Sequence, residues 1–391
     1  FSLFSDGFAQ FLNNNNFKES VQKFGAFNVR QSLNNVTDIS GYVIASASDT
    51  GKESVTENLY QNNNNPFTEN RSNTANSNSF FTLGKITLDY DPSYKEDFAY
   101  NSFAKISKND GDGLINTQRN ATNTNIFTQQ NIAAFNLKQN VSYSRKLSDN
   151  HTGTLEATYS YNQNNPDTQW NTNTKILAGL IPLVDADNYT ILQTKKAKTH
   201  SFNAIVKDYW TINNFNHLYF SLGTNNTFNN FTNEDVQQLA DGTVNNFSSD
   251  GFGNDISYNF LDTYLGLEYK FRTGIFTFKP AVYQHFYNWS IAQNNSKDTR
   301  IKALLLPEFT TEIAFENSTK INLKYKANAR FASVNSLANN FVLTNFNSVF
   351  KGNPALENEL YHTASARYSR YSLLRGIMMN ASVNYNRKTK Q

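Results

Sequence analysis

Phe135-Asn136-Leu137-Lys138-Gln139-Asn140-Val141-Ser142-Tyr143 alternates apolar and polar residues along its length. Phe135, Leu137, Val141 and Tyr143 share one parity, and Asn136, Lys138, Asn140 and Ser142 share the other. Successive side chains of a strand point to opposite faces, so the stretch reads as a strand with one apolar and one polar face. The pattern recurs in both directions. Leu155, Ala157, Tyr159 and Tyr161 oppose Thr154, Glu156, Thr158 and Ser160; Ile321 to Asn328 alternates the same way. Near the end, Met379, Ala381, Val383 and Tyr385 oppose Asn380, Ser382 and Asn384. Helical periodicity is weak.

Short turn signals punctuate these stretches at Asn34-Asn35, Pro92-Ser93, Asp149-Asn150, Asn213-Asn214, Thr273-Gly274, Asn317-Ser318 and Leu374-Arg375-Gly376. Seven such turns imply seven hairpins, about 14 strands. Between hairpins the chain is rich in Asn, Thr and Ser, and long loops are expected near 49–78, 109–130, 164–197, 225–254, 291–300 and 332–355. Short turns on one side and long loops on the other are the asymmetry of outer-membrane barrels, whose strands need about 9–11 residues to cross a bilayer.

Composition agrees with that class. Charged residues are 17% of the 391, below the roughly 25% of soluble domains, while aromatics reach 14%. Mean hydropathy is −0.60, and no apolar run approaches the about 20 residues of a transmembrane helix. A barrel stays polar overall because only every second residue meets lipid. Zero cysteines exclude disulfides and thiolate metal sites. A net charge of +3, scattered along the chain, argues against a nucleic-acid partner.

A soluble sandwich also alternates, with its apolar face inward. The sequence leaves open which face is inside; loop length and aromatic placement favour the membrane. Tyr209 and Trp210 precede a short turn, and Tyr287 and Trp289 sit at the opposite end of a strand. They are the expected membrane-interface aromatics, one pair for each side. The runs Asn13 to Asn16 and Asn62 to Asn65 read as hydrated segments outside the strands rather than as prion-like disorder.

Two segments carry a family resemblance. Phe24-Gly25-Ala26-Phe27-Asn28-Val29, with its turn at Asn34 and the following Asp38-Ile39-Ser40-Gly41-Tyr42, resembles a recurring hairpin of TonB-dependent receptors of the Bacteroidota type. Lys351-Gly352-Asn353-Pro354-Ala355-Leu356-Glu357 resembles that family's G-N-P-x-L segment, which leads from an external loop into a strand. The resemblance implies an all-β fold in which residues 1–391 form part of a 22-stranded antiparallel transmembrane barrel in the bacterial outer membrane. It implies import of a scarce or large ligand, with outer-membrane lipid and a TonB-type energising protein, acting through a plug domain, as partners. A structural or scaffolding barrel that binds surface lipoproteins is the alternative reading. Phe1-Ser2-Leu3-Phe4 has no leader character and Lys388-Thr389-Lys390-Gln391 no terminal aromatic, so plug and further strands are expected beyond both ends. A smaller closed barrel would instead need Phe1–Phe24 to pair with the last strand.

No catalytic or cofactor motif stands out, and an enzyme is not expected. His151, His200, His217, His285 and His362 are dispersed, without metal-ligand spacing. Asn109-Asp110-Gly111-Asp112-Gly113 has Lys108 where a calcium loop begins and Arg119 where it ends, so a tight turn is expected. Ligand-binding candidates are the loop residues Trp170, Asn171, Asn173, Asp185, Asp187 and Tyr189, because aromatic faces stack while amides hydrogen-bond.

Overall fold

The computed structural model describes residues 17–60, 67–119, 122–316, 318–372 and 376–389. Both asparagine runs lie outside these residues, as do parts of the turns expected at 317–318 and 374–376. The strands in chain order are β1 (Glu19–Asn34), β2 (Thr37–Tyr60), β3 (Phe67–Ser93), β4 (Glu96–Arg119), β5 (Thr122–Lys146), β6 (His151–Thr172), β7 (Tyr189–Asn213), β8 (Asn216–Gln238) and β9 (Val244–Asn246). They continue with β10 (Asn254–Thr273), β11 (Phe276–Gln293), β12 (Ser296–Glu316), β13 (Thr319–Arg330), β14 (Val342–Asn345), β15 (Ser348–Phe350), β16 (Glu359–Ser372) and β17 (Ile377–Thr389). All but β14 and β15 form one 15-stranded sheet in sequence order, every pair antiparallel and β9 paired only to β8. Sequential hairpins explain the order: each strand's nearest partner is the one a short connection away.

The five turns that lie within the described residues stand within a residue or two of their expected places; Asn213 pairs with Asn216 and Thr273 with Phe276. The loops do not. Residues 109–119 belong to β4 and residues 122–130 to β5, where Arg119 pairs directly with Thr122. Residues 291–300 form a hairpin turned at Asn294 and Asn295, both at positive φ. Strands therefore run far beyond 9–11 residues, to 27 in β3, about 90 Å along its axis. The Asp110-Gly111-Asp112-Gly113 stretch is not a turn either: it lies within β4, paired to β3 and β5.

The two faces differ in what covers them. On β10 the even positions face a segment folded from residues 331–358, and on β11 the odd ones do; Asn254, Ile256, Tyr258, Tyr287, Trp289 and Ile291 are buried there. The opposite face is exposed and apolar: Phe220 and Leu222 on β8, Leu265 and Leu267 on β10, Phe286 on β11, Leu305 and Phe309 on β12. A water-facing sheet would hide that surface, whereas lipid rewards it. The apolar face is thus outermost. On β10 its apolar stretch runs from Leu261 to Phe271, the length a tilted strand needs to cross a bilayer. Above it the outward residues turn polar (Asn259, Ser257, Asp255) while the ladder to β8 continues unbroken.

Inward positions hold the polar set. Cross-strand Thr–Asn pairs bond directly: Thr199 to Asn229 at 2.6 Å, Thr158 to Asn140 at 2.9 Å and Thr87 to Asn101 at 2.9 Å. Glu308 lies between Lys324 (3.2 Å) and Lys326 (3.5 Å). Apolar outside and charged inside, this wall is that of a transmembrane β-barrel of the bacterial outer membrane. Among the described residues β1 pairs only with β2 and β17 only with β16; Glu19–Phe24 are engaged by Gly51–Ser46.

Candidate functional site: the inner wall and the segment that crosses it

The inner wall of β10 and β11 is built on close approaches that only glycine permits. A Cβ on Gly223 would stand 2.3 Å from the Tyr264 ring, and one on Gly266 would stand 2.4 Å from the Tyr283 ring. Each tyrosine leans over its neighbour strand's glycine, so aromatic side chains pack into a continuous layer. Tyr264, His285 and Tyr287 form a stacked column, with centroids 4.7 and 5.3 Å apart. Asp262 lies beside it, bonded to His285 Nδ1 at 2.8 Å and accepting from Asn225 Nδ2 at 3.0 Å.

Residues 331–358 leave β13, cross this wall and return to β16. The crossing begins with Phe331 against Tyr287 (4.6 Å) and Trp289 (5.0 Å), continues through a 3-10 turn at Asn335–Leu337, and ends in the β14–β15 hairpin. Leu337 and Leu343 are fully buried on the wall, worth about 2 kcal/mol each. Gly352 closes the base: its N–H donates to Ala338 O at 2.8 Å and Asn353 N–H to Ser336 O at 2.8 Å, where a Cβ would come within 2.5 Å of Ser336 O. Asn353 Oδ1 caps the next turn by accepting from Ala355 N–H at 2.9 Å. On β12, Arg300 donates to Leu356 O (3.2 Å) and Lys302 to Asn358 Oδ1 (2.7 Å). At the tip, Arg71 of β3 stands 5.7 Å over the Phe346 ring.

Beneath the crossing segment lies a buried polar cluster of Gln193, Asn233, Asp235, Asn254 and Gln293. Gln293 Nε2 donates to Asn254 Oδ1 (2.7 Å), Asn254 Nδ2 to Asn233 Oδ1 (2.8 Å), Asn233 Nδ2 to Asp235 Oδ2 (2.9 Å) and Gln193 Nε2 to Asp235 Oδ1 (2.5 Å). Burial pushes the Asp235 carboxyl up to about 6, against the pull of Gln193, Lys195, Asn233 and the Leu343 N–H. Burial also lowers Lys195, opposed by the charge of Asp235. A second loop is tied similarly: Gln237 Oε1 accepts from Val184 N–H (2.8 Å) and its Nε2 donates to Val184 O (2.9 Å).

The residues expected to bind ligand all lie on the facing ends of β6 and β7 and on the connection between them. Trp170 and Tyr189 lie on β6 and β7, buried at 4% and 7% exposure, Trp170 in the cluster that holds Leu343; neither ring is open to a ligand. Asn171 accepts from Thr190 Oγ1 (2.9 Å), and Asn173 stitches the loop to β5 through Asn125 N–H (2.9 Å) and Asn123 O (3.0 Å). Asp185 pairs with Lys175, and Asp187 is exposed. Tyr287 and Trp289 are not interface aromatics: they are inward and buried, because their parity matches the lumen face. Tyr209 also faces inward, edge-on to Tyr219 at 4.9 Å, whereas Trp210 faces outward near its turn, stacked on His151. Among the described residues, no three His, Cys, Asp or Glu side chains are grouped to hold a metal. Sequence reading missed the polar cluster because its members fell in supposed loops. The available signal was Ile191/Gln193, Asn233/Asp235/Gln237 and Asn254/Ile256, a period of two carried past the apolar band.

No protein-family profile matches the chain, and no curated protein does. Among solved structures, the copper transporter OprC is similar at 10% identity and TM-score 0.48, over 95% of this chain and 54% of its own. The ferric preacinetobactin receptor BauA from Acinetobacter baumannii follows at 8% identity and TM-score 0.29, over 91% and 72%. The transport unit of the autotransporter AIDA-I from Escherichia coli is similar at 10% and 0.28, over 76% and 86%. The chain thus spans about half the length of OprC, and likeness at this level does not bear on what the chain carries.

Proposed function

We propose that this wall belongs to an outer-membrane importer, a transporter rather than an enzyme, that captures a ligand outside the cell and passes it through the barrel. The observation that carries the reading is a charged, amide-lined inner face that is crossed by an anchored segment, residues 331–358. A crossing segment narrows the lumen, so passage requires movement, and movement against a tied segment needs an energy source. The resemblance of Gly352-Asn353-Pro354 and its neighbours to TonB-dependent receptors of the Bacteroidota type supports a TonB-type protein acting through a plug domain as that source. The strands of β2 to β8 rise well above the apolar band as a stiff rim, which suits docking of a surface lipoprotein over the mouth.

The test compares cells carrying the full gene with a deletion strain, measuring uptake of candidate ligands with and without a proton uncoupler. Saturable, uncoupler-sensitive uptake is expected. Passive flux that ignores the uncoupler would sink the importer reading. A stoichiometric lipoprotein partner without any uptake would favour a scaffolding barrel.

A further inference from the structure

The crossing segment is held on the inner wall as a bound peptide would be. Asn254 takes both main-chain groups of Asn340, accepting from its N–H at 3.0 Å and donating to its C=O at 3.2 Å. Three residues on, Gln193 Nε2 and Lys195 Nζ both donate to the Leu343 C=O at 2.8 Å. Between them, Phe341 N–H donates to Gly251 O at 2.8 Å, and before them Asn339 N–H donates to Gln293 Oε1 at 3.2 Å. All of these contacts read backbone, which every peptide has. The side chains supply selectivity. Leu343 sits in a closed pocket with Ile126, Trp170 and Ile191, and Phe341 packs on the Phe252 ring at 5.3 Å.

A loop that is merely tied down needs only apolar packing. Here five polar side chains are buried, and such groups are costly unless their partners stay in place. The cluster therefore fits a main chain, whichever molecule supplies it. Release of residues 339–343 needs the short hairpin beyond Leu343, whose turn is exposed, to lift between the anchors at Phe331 and Gly352. We propose that the wall formed by Gln193, Asp235, Asn254 and Gln293 is a binding site for an extended peptide with apolar side chains at two alternate positions. In this chain residues 339–343 occupy the site as an internal competitor. The site deepens the importer reading by naming a ligand class, and it rests on that reading only for access from outside.

The experiment uses the full-length protein in detergent and a fluorescent, end-blocked peptide copying residues 338–345, followed by anisotropy. Leu343→Asp places a charge in the closed pocket and should eject the segment, raising peptide affinity at least tenfold over the unaltered protein. Adding Asn254→Leu and Asp235→Leu should remove at least tenfold of that affinity. A peptide N-methylated at the position matching Asn340 should lose a similar factor, since it lacks the N–H that Asn254 accepts. If Leu343→Asp does not fold, as judged by heat-modifiable gel migration, a protease site inserted between Phe346 and Asn347 frees the segment without touching the pocket. Absence of binding to a folded, freed protein overturns the proposal, as does equal binding of the N-methylated peptide. Binding without energised uptake would leave the site standing and remove the importer, and the converse would do the reverse.

Discussion

Arginine at Leu265 tests the assignment of faces and of the membrane level together. Leu265 points outward near the middle of the Leu261–Phe271 stretch, 55% exposed, beside Leu222 on one side and Gln284 on the other. If that face meets hydrocarbon, Leu265→Arg should cost about 2–4 kcal/mol, as charges do at the midplane of a barrel. Ser257 has the same outward parity on the same strand but stands eight residues higher, about 27 Å along it. At a tilt of roughly 40° that is about 20 Å of height, beyond the half-thickness of an apolar band about 25 Å tall. Ser257→Arg should therefore cost about 0–1 kcal/mol. The assay is urea unfolding of the full-length protein from lipid vesicles, read by tryptophan emission and by gel mobility. Costs equal within about 0.5 kcal/mol, or a larger cost at Ser257, would refute both the lipid-facing surface and the claim that strands continue above it.

Gly266→Ala should lose about 1–3 kcal/mol, because its Cβ would meet the Tyr283 ring at 2.4 Å, while Gly84→Ala, with ordinary contacts from 3.5 Å, should unfold near wild type. Gly352→Ala should loosen the crossing segment without harming the barrel, because a Cβ there meets Ser336 backbone; faster hydrogen exchange across residues 336–343 with unchanged barrel unfolding is the expected result. Docking of the segment should weaken as pH rises from about 4 to about 6. Asp235, held near 6 when covered and near its ordinary 3.8 when released, binds its proton more tightly in the docked form. The effect is at most on the order of 3 kcal/mol, flat above that window, and absent in Asp235→Asn; hydrogen exchange of the Leu343 amide against pH measures it.

Hairpin order and turn positions were legible because lipid on one side and water on the other impose a strict alternation of residue type. Phe135 to Tyr143 shows it plainly. Above the membrane both faces are hydrated, so alternation fades although the ladder continues. Asn70, Asn73, Asn76 and Asn78 of β3 then look like loop although each is paired. The same loss of contrast hid Asn254 and Asp235, whose outward neighbours Asp255 and Glu234 are as polar as they are. Position along the strand also misled: an aromatic at a strand end reads as an interface residue, yet Trp289 shares the parity of His285 and Tyr283 and must face the lumen. Its burial follows from the crossing segment, and that contact joins residues 289 and 331, which no local pattern links. Gly352 was the exception. Its segment was recognised by resemblance, and its physical reason is the absence of room for a Cβ over the Ser336 backbone. A small residue forced by a backbone approach leaves a mark in sequence, whereas a buried amide bonded to a distant main chain shows only the period of two of its strand and not its partner. The inner-wall cluster therefore becomes readable only once the crossing segment lies on it.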